Sequence, residues 1–213
     1  MTGRTTDRTI TVISAGLGQP SATRMLADRL AAATVAELAS RGHRATIQTF
    51  ELRTVAHEII NTMLTGFPSG DLRTVLESVI GADGLIAVTP LFTTTYSGLF
   101  KSFVDILDPD SLARMPVLLG ATGGTPRHSL ALEYSMRPLF TYLRADVART
   151  SVFAATDDWS GHSDLDPLSA RITRGAQDLA DLVAGGQRMR PADPYDAAPS
   201  FDDLLRGGTS APR

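Results

Sequence analysis

Apolar positions along the chain follow two rhythms. Short, mostly β-branched or apolar runs at residues 9–13, 44–50, 84–89, 116–121 and 147–154 read as strands. Longer stretches between them repeat their apolar residues every three or four positions. Ala22, Leu26, Leu30 and Ala33 predict a helix from about Ser21, ended at Arg41-Gly42, where glycine suits a left-handed stop. Leu72, Val75, Leu76 and Val79 predict a second helix over 71–79. Leu99, Phe103 and Ile106 beside Phe100, Val104 and Leu107 predict a third over 97–107. A fourth is expected over 129–143. A closing helix opens at Asp166-Pro167, carries Leu168, Ile172, Leu179 and Leu182, and stops at Gly185-Gly186. Residues 51–70 read as a loop with a short helix and a turn at 67–70.

Strands alternating with helices predict an α/β fold, a doubly wound parallel sheet of five strands with helices on both faces. The run 84–89 is almost wholly apolar, as a central strand covered on both sides should be. Residues 1–186 form the expected domain. Residues 187–213 read as a Pro/Gly-containing tail, with Phe201-Asp202-Asp203-Leu204-Leu205 as its one apolar patch, a docked turn or a frayed end.

Composition narrows the chemistry. The 213 residues include no cysteine, which excludes disulfides, thiolate metal sites and a cysteine nucleophile. A net charge of −3 gives no footprint for nucleic acid. No apolar run is long enough to span a membrane, so a cytoplasmic protein is expected. Known catalytic patterns fail in turn. Gly16 and Gly18 are followed by Gln19-Pro20-Ser21, not by a dinucleotide fingerprint, and Lys101-Ser102 follows Phe100, not the glycine of a P-loop. His57-Glu58-Ile59-Ile60-Asn61 lacks the second histidine of a zinc protease, and no metal site is expected. No nucleophile elbow occurs.

In doubly wound sheets ligands sit beyond the carboxyl ends of the strands, so the exit loops carry the candidate chemistry. The first offers Ser14, Gly16, Gln19, Ser21, Ala22 and Thr23 at the mouth of a helix. Free N–H groups, the helix dipole and hydroxyls there suit a phosphate, although taken alone Ser21 reads first as a plain helix cap and the glycines as a turn. The third combines Pro90, Leu91, Phe92, Thr93, Thr94 and Tyr96, aromatic bodies among hydroxyls that suit a planar ring with a polar edge. Lys101 follows, with either Asp105 or a ligand as its partner. The fourth gives Thr122, Gly123 and Gly124 as amide donors, then Arg127 and His128, which suit a reduced flavin, a nicotinamide donor or plain surface. A phosphate seat, an aromatic wall and amide donors together fit flavin mononucleotide (FMN).

At Ser14, Pro20-Ser21-Ala22-Thr23, Thr89-Pro90 through Ser97-Gly98-Leu99-Phe100-Lys101 and Ala121-Thr122-Gly123-Gly124, the sequence resembles the NAD(P)H-dependent FMN reductases of flavodoxin-like fold. It is most similar to the branch serving luciferase-like two-component monooxygenases. The resemblance implies the sheet order 2-1-3-4-5 and hydride transfer from NADPH or NADH to FMN. It also implies a flavin-dependent monooxygenase as recipient of reduced FMN, and a homodimer or homotetramer. Such a transfer needs no catalytic acid, base or metal, and depends on holding two rings together. Where the family often has Arg in the phosphate loop, this chain has Gln19, so neutral donors are expected to hold the phosphate. Trp159 covers the ring, meets another subunit, packs in the core or lies on the surface. Two rival readings share the scaffold: a quinone or azo-compound reductase with tightly bound FMN, and a flavodoxin-like electron carrier.

Overall fold

The computed structural model describes residues 6–160 and 167–186. Strand β1 (Thr6–Ser14) leads to helix α1 (Ala22–Ser40) and strand β2 (His43–Glu51). A 3₁₀ turn (Leu52–Val55), α2 (Ala56–Thr65) and α3 (Asp71–Gly81) precede β3 (Gly84–Phe92). The short β4 (Thr95–Tyr96), α4 (Gly98–Asp105) and β5 (Pro116–Gly123) follow. After α5 (Arg137–Tyr142) come β6 (Asp146–Val147), β7 (Val152–Ala155) and α6 (Pro167–Gly185).

The main sheet is parallel, in the order β2-β1-β3-β5-β6, with β7 also pairing β5 and β4 folding back antiparallel on β3. Side chains alternate between its faces. Ile13, Leu85, Ala87, Val117 and Leu119 meet Leu72, Val79, Phe100, Phe103 and Phe140 from the helices on one side. Ile10, Val12, Ile86, Val88 and Leu118 meet Leu26, Leu30, Ile172 and Leu179 of α1 and α6 on the other. The doubly wound α/β expectation therefore holds, and Gly42 closes α1 with φ +80° as anticipated.

Two details differ from the sequence reading. The expected fifth strand is broken into β6 and β7. At the break, Thr150 N–H donates to Asp178 Oδ2 at 2.8 Å, and the carbonyls of Ala148 and Arg149 accept from the Arg137 guanidinium. Side chains from two helices thus take over hydrogen bonds that a ladder would make. The helix expected over 129–143 is shorter and irregular. Pro138 has no N–H to give, and just before it the ladder widens to a π-turn at Leu132–Met136, where Arg137 N–H reaches Leu132 O. Residue Asp166 and the tail 187–213, with its 201–205 patch, lie outside the described residues.

Candidate functional site

Register decides which loops meet. Ser14 pairs with Glu51 on one side and Val88 on the other, and Pro90 pairs with Thr122. The strands β1, β3 and β5 therefore release their chains on one edge, beside the point where strand order reverses between β1 and β3.

The first loop is tightly folded. Ser14 is fully buried, and its hydroxyl has no hydrogen-bond partner. Ala15 N–H donates to Val88 O at 2.9 Å. A Cβ on Gly16 would collide with Ser21 Oγ and meet Thr23 Cβ at 3.1 Å, so a side chain here would displace the Ser21 hydroxyl. Ser21 caps α1, its hydroxyl accepting from Arg24 N–H at 3.2 Å. The N–H groups of Ala22 and Thr23 stand in the first turn, where a helix offers them no internal acceptor. Thr23, 3% exposed, shares a 2.8 Å hydrogen bond between hydroxyls with Thr122 of β5. That bond joins the first exit loop to the fourth.

The third exit is a hairpin rather than an irregular loop. β3 continues through Phe92, and Leu91 and Phe92 pair with Tyr96 and Thr95. Thr93 and Thr94 form the tip with φ of 50° and 72°. Branched side chains resist that backbone, so the tip carries strain of the kind that gathers at functional sites. Ser97 closes the hairpin and starts α4: its N–H donates to Thr89 Oγ1 at 3.1 Å, and its hydroxyl accepts from Phe100 N–H. Phe92 is 47% exposed, while Tyr96 packs against Phe100 with ring centroids 6.1 Å apart.

The fourth exit adds Gly123, where a Cβ would meet Phe153 at 2.9 Å and Leu91 at 3.9 Å, and Gly124, which faces open space. Thr125 caps the 3₁₀ turn Pro126–His128. Arg127 is exposed and His128 half-buried. A cavity of about 280 Å³ adjoins this loop, lined by Pro126, Ser129, Phe153, Asp158 and Arg171.

The structure thus gathers Ser14, Gly16, Ser21, Ala22, Thr23, Pro90, Leu91, Thr122, Gly123 and Gly124 along one edge, with the hairpin of Phe92, Thr93, Thr94 and Tyr96 beside them. Lys101 turns elsewhere: its ammonium pairs with Asp105 at 2.6 Å and lines a cavity of about 560 Å³ between α4 and α5. Trp159 is half-buried against the α1/α6 core, under the Arg29 guanidinium at 6.0 Å.

Gln19 has a charged neighbour that the sequence did not reveal. With its carboxamide oriented to satisfy both groups, Gln19 accepts from Nη1 of Arg53 at 2.7 Å and also from Nη2. Arg53 Nε donates to Glu51 at 2.9 Å, and Arg24 reaches the same carboxylate at 3.3 Å. The Arg53 hydrogen bond, reinforced by Arg24, holds the Glu51 carboxyl below its ordinary value. The turn after β2 thus brings a guanidinium to a loop for which the sequence suggested neutral donors alone. The available signal was Glu51-Leu52-Arg53 at the second strand exit, on the same edge as the other three.

A buried hydroxyl without a partner, a glycine crowded by Ser21, and the first-turn amides of a helix suit a phosphate, and the neighbouring hairpin suits a planar ring. The fold is that of a flavodoxin-like α/β protein. The chain belongs to the NADPH-dependent FMN reductase family, whose sequence profile matches residues 8–160. It is 33% identical to an FMN reductase (NADPH) of Pseudomonas aeruginosa over 183 residues, 84% of this chain and 95% of that one. It is 31% identical to the NADH-dependent FMN reductase SfnF of Pseudomonas fluorescens, across 85% of this chain and 94% of that one. An oxidoreductase structure from Corynebacterium diphtheriae superposes with a TM-score of 0.79 at 42% identity, covering 84% and 98% of the two chains. The protein is an NAD(P)H:FMN oxidoreductase, with FMN and a nicotinamide donor as its cofactors.

Proposed function

We propose that the three-loop edge is the flavin seat and that the reduced flavin formed there passes to a flavin-dependent monooxygenase. In this reading Ser14, Gly16 and the first-turn amides of Ala22 and Thr23 receive the phosphate. The hairpin 91–96 walls the ring, and Gly123 and Gly124 present N–H donors to its polar edge. Arg127 or His128 meets the nicotinamide donor, and Lys101 takes no part. Bound FMN supplies an acceptor for the nicotinamide hydride. The protein's own share is to align two planar rings and exclude water, which agrees with the absence of recognised acid–base or nucleophile motifs in the sequence. The observation that carries the site is the buried, unpaired Ser14 hydroxyl, two residues before a glycine whose Cβ would displace the Ser21 hydroxyl. Support for delivery to a monooxygenase is the resemblance of the three loops to that branch. The same resemblance supports a homodimer or homotetramer, which light scattering measures.

Two measurements test this. Ser14→Ala is expected to raise the FMN dissociation constant about tenfold or more, as for a lost hydrogen bond to a charged group. An unchanged constant would remove Ser14 from the seat. Purified protein is expected to lose its flavin on dialysis and to need added FMN before oxidising NADH or NADPH. Protein that stays yellow and reduces quinones directly would favour the tightly bound reductase and end the delivery reading.

A further inference from the structure

We infer that Arg53 reads the charge of the flavin phosphate and sets the preference for FMN over riboflavin, an inference that rests on the phosphate placement proposed above. Residues 15–21 contain no ionisable side chain, and α1 has no acidic residue in its first turn. Two guanidiniums approach this uncharged loop, and they differ in what they already hold. Arg24 is committed to two carboxylates: its Nε lies 2.9 and 3.0 Å from the Asp28 oxygens, and its Nη1 lies 3.3 Å from Glu51. Arg53 has one carboxylate, Glu51, on its Nε, while Nη1 and Nη2 rest on the neutral amide oxygen of Gln19. A phosphate oxygen is a stronger acceptor than an amide, so an arriving phosphate can take over those two N–H groups without breaking an ion pair. Glu51 keeps the guanidinium aimed throughout, gripping Nε and leaving the outer fork free for bidentate contact. The Arg53 side chain is 24% exposed, so water and salt screen its charge only in part.

Fluorescence titration of FMN and of riboflavin, which lacks the phosphate, tests the inference on wild type, Arg53→Gln and Arg53→Lys. Arg53→Gln is expected to raise the FMN dissociation constant about tenfold or more while changing that of riboflavin by less than about twofold. Arg53→Lys should recover part of the loss, since it keeps the charge and loses the fork. Added salt should weaken FMN binding to wild type more than to Arg53→Gln. The inference is overturned if Arg53→Gln binds FMN as wild type does. It is equally overturned if both flavins weaken alike, because Arg53 would then shape the loop without reading the phosphate. Wild-type protein that binds neither flavin would overturn the flavin seat itself, an outcome visible before any variant is compared.

Discussion

Thr23 and Thr122 sit 99 positions apart, yet their hydroxyls meet at 2.8 Å in the interior. Each satisfies the other where water cannot reach, so removing one strands its partner. Thr122→Val keeps the shape and leaves the Thr23 hydroxyl without that bond. The expected cost is about 1–3 kcal/mol of unfolding free energy, read by urea denaturation. A loss near zero would show that the two loops are held together by packing alone. Glu51 makes a second prediction at this scale. Its carboxyl is more acidic in the folded protein than in the unfolded chain, chiefly through the Arg53 hydrogen bond. Such a group stabilises the fold fully above its ordinary value of 4.5 and loses that contribution as pH falls through the lower folded value. Wild type should therefore exceed Glu51→Gln in stability at neutral pH, and the gap should narrow as the pH falls below about 4.5. A gap of constant size across that range would mean that the ion pairs add nothing to stability.

Among the elements, the hairpin after β3 is the least expected. Its Thr93-Thr94 tip takes two positive φ angles that two-residue hairpins usually assign to Asn-Gly. Thr93→Asn with Thr94→Gly is expected to stabilise the protein by about 1–2 kcal/mol, the cost of holding branched residues in that region. If the tip also walls the flavin ring, FMN affinity or turnover should fall in the same variant, since strain is kept where function needs it. Stability that does not rise would place the strain elsewhere. The hairpin also shows where sequence reading stops. Strands β3 and β5 and helix α1 were legible because burial on both sheet faces, the Ser21 cap and the Gly42 stop are local signals. The hairpin lacked a turn signal, since two threonines in succession suit a strand better than a tip. The break between β6 and β7 depends on Asp178 and Arg137 from two separate helices, which no local pattern announces. Most of the proposed seat was legible as small and hydroxylated residues at strand exits. Arg53 was not, because its place beside Gln19 follows from the pairing of Ser14 with Glu51.

For the molecule as a whole, the proposed seat forms only when the sheet is assembled. Ser14, Leu91 and Gly123 come from three strands, and the sheet between them carries a core on each face. An unfolded chain disperses these residues, so FMN is expected to bind the folded state alone, and its binding free energy then adds to global stability. At a free concentration one hundred times its dissociation constant, FMN should add about 2.7 kcal/mol. For a domain of this size that corresponds to a rise of about 5–10 °C in Tm. Riboflavin at the same concentration should give a smaller rise, because it cannot engage the donors around Ser14 and α1. Thr122→Val should melt earlier than wild type at every FMN concentration and gain less from FMN if the Thr23–Thr122 bond also orders the phosphate loop. A Tm indifferent to FMN would show that the edge does not bind flavin. An equal rise with both flavins would show that the ring, and not the phosphate, supplies the affinity.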